Sequence, residues 1–443
     1  MRITRTSGFR SQATAACALG ILLCALHGAS QPAAEPAEAE ASSMGFSDGL
    51  WRRQSLADQG VIPFAVWAHE FWGNTSGGLQ RGVWWNTLLD FGLELDTTAM
   101  GWWEGGGWIA EVYWIQNSRN DTPFAAYTGA ANPVSGLMAG DALRVYNLHY
   151  RHAWPGVGLD LKMGQIAADD DFMLSDYAAL FLNSSFGAMP SQVGTPLAAY
   201  LGNPSAFPVF PVAAPGVFIR WRPASQVSTQ LGVYHGMPGA DARTNHGFDW
   251  IEQADPGLGL FWESTLSYQL HDKSAALRIG LSYHTGPVDD FSGTENTGIY
   301  PVTRQTAPSV YVIHDWTLLQ NNTGQAAVAC FARAGLSTQH DRSVVAYYAD
   351  AGLNWFAPLP GRSEDVAGIA LATTWFSRHF SDSIGIEAGQ AVETTIELTY
   401  RAAVTHWLAL QADFQLLLNP LANPDPDRHD PAAVLGLHAE ITF

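Results

Sequence analysis

The carboxyl-terminal segment VLGLHAEITF alternates between apolar and polar side chains. Leu435, Leu437 and Phe443 fall on odd positions, and His438 and Glu440 fall on even ones. A period of two is typical of a β-strand with one apolar and one polar face, because successive side chains point to opposite sides. The pattern therefore predicts a strand. It leaves open which solvent the apolar face meets.

The same alternation recurs along much of the chain. It is clearest at 89–96, 146–151, 157–164, 277–284, 396–401 and 408–416. In the segment 146–151 it places Tyr146, Leu148 and Tyr150 on one face and Asn147, His149 and Arg151 on the other. The sequence therefore predicts an all-β fold built from many such strands.

The composition of the polar positions favours a membrane barrel over a soluble sheet. A polar face in bulk water should be rich in Lys and Glu, yet the chain has only two lysines, Lys162 and Lys273. Charged residues make up 14% of the chain, against about 25% in typical soluble domains. A lumen-facing row of polar side chains beside a lipid-facing apolar row is the pattern of an outer-membrane barrel. The pattern also predicts tryptophans in the interfacial girdles, at Trp84, Trp85, Trp102, Trp103 and Trp375.

The amino terminus resembles a targeting segment rather than part of the fold. Three arginines precede a mostly apolar run from Ala13 to Leu26, and small residues follow. We interpret residues 1–30 as a cleaved signal peptide and the Ala-, Pro- and Glu-rich residues 31–48 as a flexible leader. Residues 49–443 then form the barrel domain. No later segment has the 18 or more apolar residues of a membrane helix, so a membrane-spanning chain would have to form a closed barrel.

The cysteine content and the net charge argue against an intramolecular disulfide and against a nucleic-acid partner. Removal of the predicted signal peptide takes Cys17 and Cys24 with it and leaves Cys330, so no intramolecular disulfide is expected. The formal net charge of −19 argues against a nucleic-acid partner, which would require a basic surface. No zinc-type cysteine spacing, nucleotide-binding loop or nucleophile elbow is present, and the acidic run ADDDF lacks the pattern of a calcium loop. We therefore expect no cofactor and no metal.

Segments rich in Gly, Pro and Asn separate the predicted strands. The longest are 119–140, 184–216, 238–256 and 285–308, which we expect to be extracellular or folded into the pore. The chain length is compatible with about sixteen to eighteen strands, although fourteen would also fit.

Several segments together resemble the carbohydrate-selective porins of Gram-negative outer membranes, the OprB family. They are GNTSGG (Gly73–Gly78), the block Leu143–Phe172, FLNSSFG (Phe181–Gly187), the loop Phe207–Pro223, GVYHGMPGAD (Gly232–Asp241) and ALQADFQLLLNP (Ala409–Pro420). Their order and spacing carry the resemblance over nearly all of the predicted mature chain.

The resemblance implies a transmembrane antiparallel β-barrel of about sixteen strands with long extracellular loops. It implies an outer-membrane location and passive diffusion of mono- or oligosaccharides into the periplasm, without enzymatic activity. Outer-membrane lipids and the outer-membrane assembly machinery would be further partners, with Phe443 as the assembly signal. The sequence leaves open whether three barrels associate into a homotrimer.

The alternation also selects candidate pore-lining residues. A neutral sugar presents hydroxyl donors and acceptors, so a selective pore needs fixed polar groups of both kinds. The candidates that face inward by parity are Asp90, Glu94, Asn147, His149, Arg151, Arg220, Arg222, Glu397 and Arg401. Two alternatives remain at this point: an outer-membrane barrel enzyme and a secreted carbohydrate-binding β-sandwich.

Overall fold

A computed structural model shows one closed antiparallel β-barrel. It describes residues 53–118, 127–195, 207–252, 255–292, 302–303, 308–385, 391–421 and 430–443. The predicted signal peptide and leader lie outside these residues, as do parts of the long connections. Sixteen strands form the barrel, as the sequence predicts.

The strands follow one another around the barrel in chain order. They are β1 (Val61–Ser76), β2 (Gly82–Asp96), β3 (Gly106–Asn117), β4 (Ala142–Trp154), β5 (Leu159–Ile166), β6 (Ala214–Ala224), β7 (Val227–His235), β8 (Leu258–Leu270), β9 (Lys273–His284), β12 (Ser309–Gln320), β13 (Ala326–Ser337), β14 (Val345–Phe356), β15 (Val366–Phe376), β16 (Val392–Ala403), β17 (Leu408–Leu418) and β18 (Ala432–Thr442). The short strands β10 (Val288–Asp289) and β11 (Val302–Thr303) form a separate two-stranded sheet.

Helices are few and short. The α-helices are α1 (Arg53–Ala57), α2 (Pro190–Val193) and α3 (Arg378–Ser383). Single 3₁₀ turns cover Pro155–Val157, Ala168–Asp170, Ala178–Leu180, Ser184–Phe186 and Asp249–Glu252. Among the residues that the structure describes, no helix combines the length and apolarity needed to cross a membrane.

The first and last strands close the barrel. β18 pairs antiparallel with β1 from Thr442 opposite Val66 to Ala433 opposite Ser76. Closure gives each of the sixteen barrel strands a hydrogen-bonded neighbour on either side. This all-around pairing is not the arrangement of a two-layer sandwich.

The two rims of the barrel differ in their connections. One rim, which we call the short-turn rim, carries connections such as 155–158, 225–226, 271–272 and 404–407. The opposite, long-loop rim carries the connections 118–141, 167–213, 236–257 and 285–308. Short turns are periplasmic and long loops extracellular in outer-membrane barrels.

Three of the four predicted long loops agree with these connections to within two residues. The fourth, predicted at 184–216, begins earlier, at residue 167.

The alternation at the carboxyl terminus has the predicted orientation. Leu435 and Leu437 lie on the outer surface and are 53% and 45% exposed, whereas His438 and Glu440 are buried inside the barrel. The apolar face therefore forms part of the outer surface of the barrel.

Some inward glycines make room for aromatic rings of neighbouring strands. A Cβ atom on Gly436 would lie 2.3 Å from Cζ3 of Trp72, and one on Gly280 would lie 2.1 Å from Cζ of Tyr311. Both distances are far below van der Waals contact, so these positions require glycine. This close packing accounts for part of the high glycine content.

Two orientation predictions are wrong. Tyr146 was expected beside Leu148 on the outer face, but it is fully buried inside. A β-bulge opposite Glu111 and Val112 inserts Tyr146 as an extra residue, so both Tyr146 and Asn147 point inward. Trp84 also points inward, where it stacks on Tyr127 at 4.8 Å.

Candidate functional site

The longest connection folds into the barrel. We call its residues 167–195 the inner loop. Its backbone contacts polar side chains on widely separated strands, from Gln230 of β7 to Gln411 of β17. These contacts fix the inner loop along the inside of the wall.

Carboxylates of the wall accept many of these hydrogen bonds. Asp315 of β12 accepts bonds from Oγ of Ser175 at 2.5 Å and from the backbone N–H of Asp176 at 3.2 Å. Glu397 of β16 accepts bonds from the backbone N–H groups of Leu182 at 2.6 Å and Asn183 at 3.0 Å. A carboxylate that accepts backbone N–H groups satisfies donors that burial would otherwise leave unpaired.

A buried arginine holds the returning part of the inner loop. Arg333 of β13 pairs with Asp350 of β14, with Nε and Oδ2 2.9 Å apart. Its other nitrogens donate to the carbonyl oxygens of Ser185 at 3.0 Å and Gly187 at 2.8 Å. The guanidinium thus joins two strands to two points of the inner loop.

A second connection, 118–141, also turns inward. Glu393 of β16 accepts backbone N–H groups from Ala131 at 2.7 Å and Asn132 at 2.9 Å. The connection meets the inner loop where the N–H of Gly136 donates to the carbonyl oxygen of Leu182 at 2.8 Å. Two inward connections therefore narrow the same lumen.

The structure places the sequence-predicted pore residues in two groups. Asp90 and Glu94 on β2, Asn147, His149 and Arg151 on β4, and Arg220 and Arg222 on β6 occupy neighbouring strands. Glu397 and Arg401 lie on β16, apart from the others. The first group, with the inward residues between them on β3 and β5, is called the polar sector below.

The centre of the polar sector is acidic and contacts the inner loop. Nδ2 of Asn147 donates to Glu111 of β3 at 2.6 Å and to Asp170 of the inner loop at 3.2 Å. The sequence prediction missed both carboxylates. Inward Tyr113 and Ile115 of β3 pack under the loops, so the apolar and polar faces of this strand do not alternate clearly.

Charge pairs continue the polar sector toward β6. Nζ of Lys162 lies 2.7 Å from Oδ1 of Asp171, and Nη2 of Arg220 lies 3.6 Å from the same oxygen. Nε of Arg220 also donates to Gln230 at 2.9 Å. Lys162 is a polar position of the alternating segment 157–164, but it was not among the predicted site residues.

Three ion pairs lie close to the short-turn rim. Arg151 pairs with Glu94, and Arg222 pairs with Asp160. On the other side of the barrel, Nη2 of Arg401 lies 3.1 Å from Oε1 of Glu440. Donors and acceptors therefore lie side by side at this end of the lumen.

Glu397 differs from the other predicted residues in its surroundings. It points inward as predicted, but it is 0% exposed because the inner loop covers it. Its carboxylate is occupied by backbone donors of that loop.

Asp365 lies at the short-turn rim, in the connection between β14 and β15. Burial opposes the charged form of Asp365, but hydrogen bonds from Arg362 and Tyr400 lower the pKa of this carboxyl below its usual range. Within the described residues, no three His, Cys, Asp or Glu side chains are grouped to hold a metal ion.

Comparisons with known proteins agree with this architecture. The high-pH structure of OprB from Pseudomonas putida superposes with a TM-score of 0.76 at 19% identity, covering 92% of this chain and 100% of that one. The low-pH structure of the same protein gives a TM-score of 0.56 at 14% identity, with 90% and 97% covered. At these identities the likeness concerns the fold. Comparison with curated protein sequences finds no match.

The sequence itself also matches a family model. The model describes the carbohydrate-selective porin family OprB, and the match covers residues 40–443. It begins within the predicted leader and includes every strand of the barrel. The chain therefore belongs to the OprB family of carbohydrate-selective porins, which are channels of the Gram-negative outer membrane.

Proposed function

We propose that sugars cross this porin between the inner loop and the polar sector of β2–β6. The single observation that supports this path is the distribution of the inner-loop contacts. Most of them lie on β7, β12, β13, β16 and β17. The inner loop reaches the polar sector at its centre, through Asp170 and Asp171. The end of the polar sector near the short-turn rim, with Glu94, Arg151 and Arg222, lies away from these contacts.

The chemistry of the polar sector suits neutral sugars. Each sugar hydroxyl can donate and accept a hydrogen bond, so an arginine beside a carboxylate offers a partner for both functions. The pairs Arg151–Glu94 and Arg222–Asp160 provide such neighbours. Because their charges are already paired, they bind a neutral solute weakly, and weak binding permits exit.

The predicted site residues then have different roles. Arg151, Arg220 and Arg222 keep exposed side-chain surface along the proposed path, with Glu94, Asn147 and His149 beside them. Asp90 is 1% exposed and offers no surface to a sugar. Arg401 with Glu440 faces the exit from the opposite wall. Glu397 holds the inner loop instead of contacting sugar.

The proposal also includes the predicted roles of the two ends of the chain. Residues 1–30 would direct export and be removed, residues 31–48 would precede the barrel as a leader, and Phe443 would serve the assembly machinery. Association of three barrels into a homotrimer is left to measurement.

The test compares sugar block of single-channel current in planar bilayers. We expect Arg151→Met to weaken block by neutral sugars about threefold to thirtyfold, which corresponds to the loss of one or two hydrogen bonds. The control is Arg378→Met, on α3 at the opposite rim, whose side chain is 80% exposed. It should leave block unchanged. Equal block in wild type and Arg151→Met would contradict the proposed path, whereas absence of block in wild type would contradict sugar selectivity.

A further inference from the structure

The barrel wall has a gap beside β4. β5 pairs with β4 only from Leu148 opposite Gln165 to Trp154 opposite Leu159. The chain then turns inward at residue 167. The edge of β4 from Ala142 to Asn147 therefore has no barrel strand on this side.

Part of the connection 236–257 fills the gap. We call residues 236–252 the cover segment. The carbonyl oxygen of His246 accepts a hydrogen bond from the N–H of Val145 at 3.0 Å, and Nδ1 of His246 lies 2.8 Å from the carbonyl oxygen of Leu143. The cover segment thus supplies strand-like partners to the open edge of β4.

The part of the cover segment that carries Trp250 lies on the outer side of the wall. Gln165 is opposite Leu148, which is exposed on the outer surface, so Gln165 also points outward. Nε1 of Trp250 donates to Oε1 of Gln165 at 3.1 Å. The Trp250 ring also lies 6.2 Å from that of His235, which is opposite the outward Leu258.

A buried ion pair ties the cover segment to the wall. Arg144 of β4 points inward with a side chain that is 0% exposed, and its Nη2 lies 2.9 Å from Oδ1 of Asp241. The other oxygen of Asp241 accepts the N–H of Gly140 at 2.7 Å. The cover segment is therefore fixed both at the edge of β4 and through the wall.

The cover segment exposes two large apolar side chains near its carboxyl end, whereas its exposed Arg243, Thr244 and His246 are polar. Phe248 is 39% exposed and Ile251 is 65% exposed. They continue the exposed apolar surface of the neighbouring strands, which includes Leu143, Met163 and Leu231. Apolar side chains that extend a lipid-facing band gain from contact with hydrocarbon and lose by contact with water.

We propose that the cover segment closes the wall where β5 leaves it and that Phe248 and Ile251 contact acyl chains of the outer leaflet. This role is separate from sugar passage. It makes an extracellular connection part of the lipid-facing surface.

The experiment places a fluorescent label at single cysteines. Cys17, Cys24 and Cys330 are replaced by alanine, and cysteine is introduced as Ile251→Cys, as Leu231→Cys on the lipid-facing surface of β7, or as Arg378→Cys at the exposed helix α3. Full-length protein is reconstituted into vesicles, and folding is confirmed by the electrophoretic shift of a closed barrel on heating. Phe248→Cys replaces Ile251→Cys if the latter does not fold.

Nitroxide-labelled phospholipid and aqueous iodide serve as quenchers. We expect the lipid quencher to reduce fluorescence at position 251 by a fraction within about twofold of that at position 231, with little effect of iodide. Iodide quenching as strong as at position 378 would overturn the proposal. Protection from both quenchers, with light scattering that shows an oligomer, would also overturn it and assign the surface to a second copy of the chain.

Discussion

Some side chains inside the barrel bind the backbone of the inner loop rather than substrate. Glu397 shows this, because each of its carboxylate oxygens accepts one N–H group of the inner loop and no surface remains for a sugar. A buried donor that loses its acceptor costs about 1–3 kcal/mol. The position of the inner loop therefore depends on a few residues of this kind.

Replacing Glu397 by glutamine should loosen the inner loop. The amide places an N–H donor where one backbone N–H needs an acceptor, so we expect local opening to become easier by about 1–3 kcal/mol. Amide hydrogen exchange at residues 180–187, followed by mass spectrometry, should accelerate about tenfold. Glu440→Gln is the matched control, since Glu440 pairs with Arg401 and not with the inner loop. Unchanged exchange in Glu397→Gln would show that other contacts are sufficient.

Arg333 joins the inner loop to the wall through a buried ion pair with Asp350 and hydrogen bonds to two carbonyl oxygens of the loop. Removing one partner of a buried ion pair costs about 3–5 kcal/mol, because the other charge stays buried. We therefore expect Arg333→Met to reduce the free energy of unfolding by about this amount in urea titrations of the detergent-solubilised barrel. Arg333→Met combined with Asp350→Asn should be less destabilised, because no isolated charge remains.

A surface ion pair provides the comparison for Arg333. Nε of Arg378 lies 3.5 Å from Oδ2 of Asp382, and both side chains are exposed. Exposed pairs contribute about 0–1 kcal/mol, so Arg378→Met should have a much smaller effect. Equal losses for both arginines would mean that the Arg333 pair does not fix the fold.

At the level of strands, the alternation of side chains predicts the architecture but not its irregularities. β16 and β18 have the predicted faces because their side chains meet lipid outside and polar groups inside. β3 carries no clear alternation, because Tyr113 and Ile115 meet packed loops instead of water. The bulge at Tyr146 reverses the phase of β4, and no local residue pattern marks it.

The position of the inner loop could not be predicted from the sequence. Its contacts join residues far apart in the chain, such as Leu182 with Glu397 and Met173 with Glu263. Parity assigns Glu397 to the inside, but only the path of the inner loop shows what covers it. For the same reason the sequence did not reveal the partnership of Asn147 with Asp170.

The whole molecule depends on closure between its two ends. β18 pairs with β1 over its length, and the N–H of Phe443 donates to the carbonyl oxygen of Ala65 at 3.0 Å. Phe443 could therefore matter in two ways: as one more closing contact, or as the feature by which the assembly machinery recognises the chain. A variant that loses a closing contact should be less stable in detergent as well as in cells. A variant that loses only the assembly signal should fail in cells alone.

Deletion of Phe443 separates these roles. A single backbone hydrogen bond contributes about 0.5–1.5 kcal/mol, so the deletion should change the unfolding free energy of refolded protein in detergent only slightly. If Phe443 is the assembly signal, the same deletion should strongly reduce the amount of folded barrel in the outer membrane of expressing cells. Phe443→Tyr keeps an aromatic end and should restore it. Equal losses in cells and in detergent would instead indicate that Phe443 acts through the stability of the closed barrel.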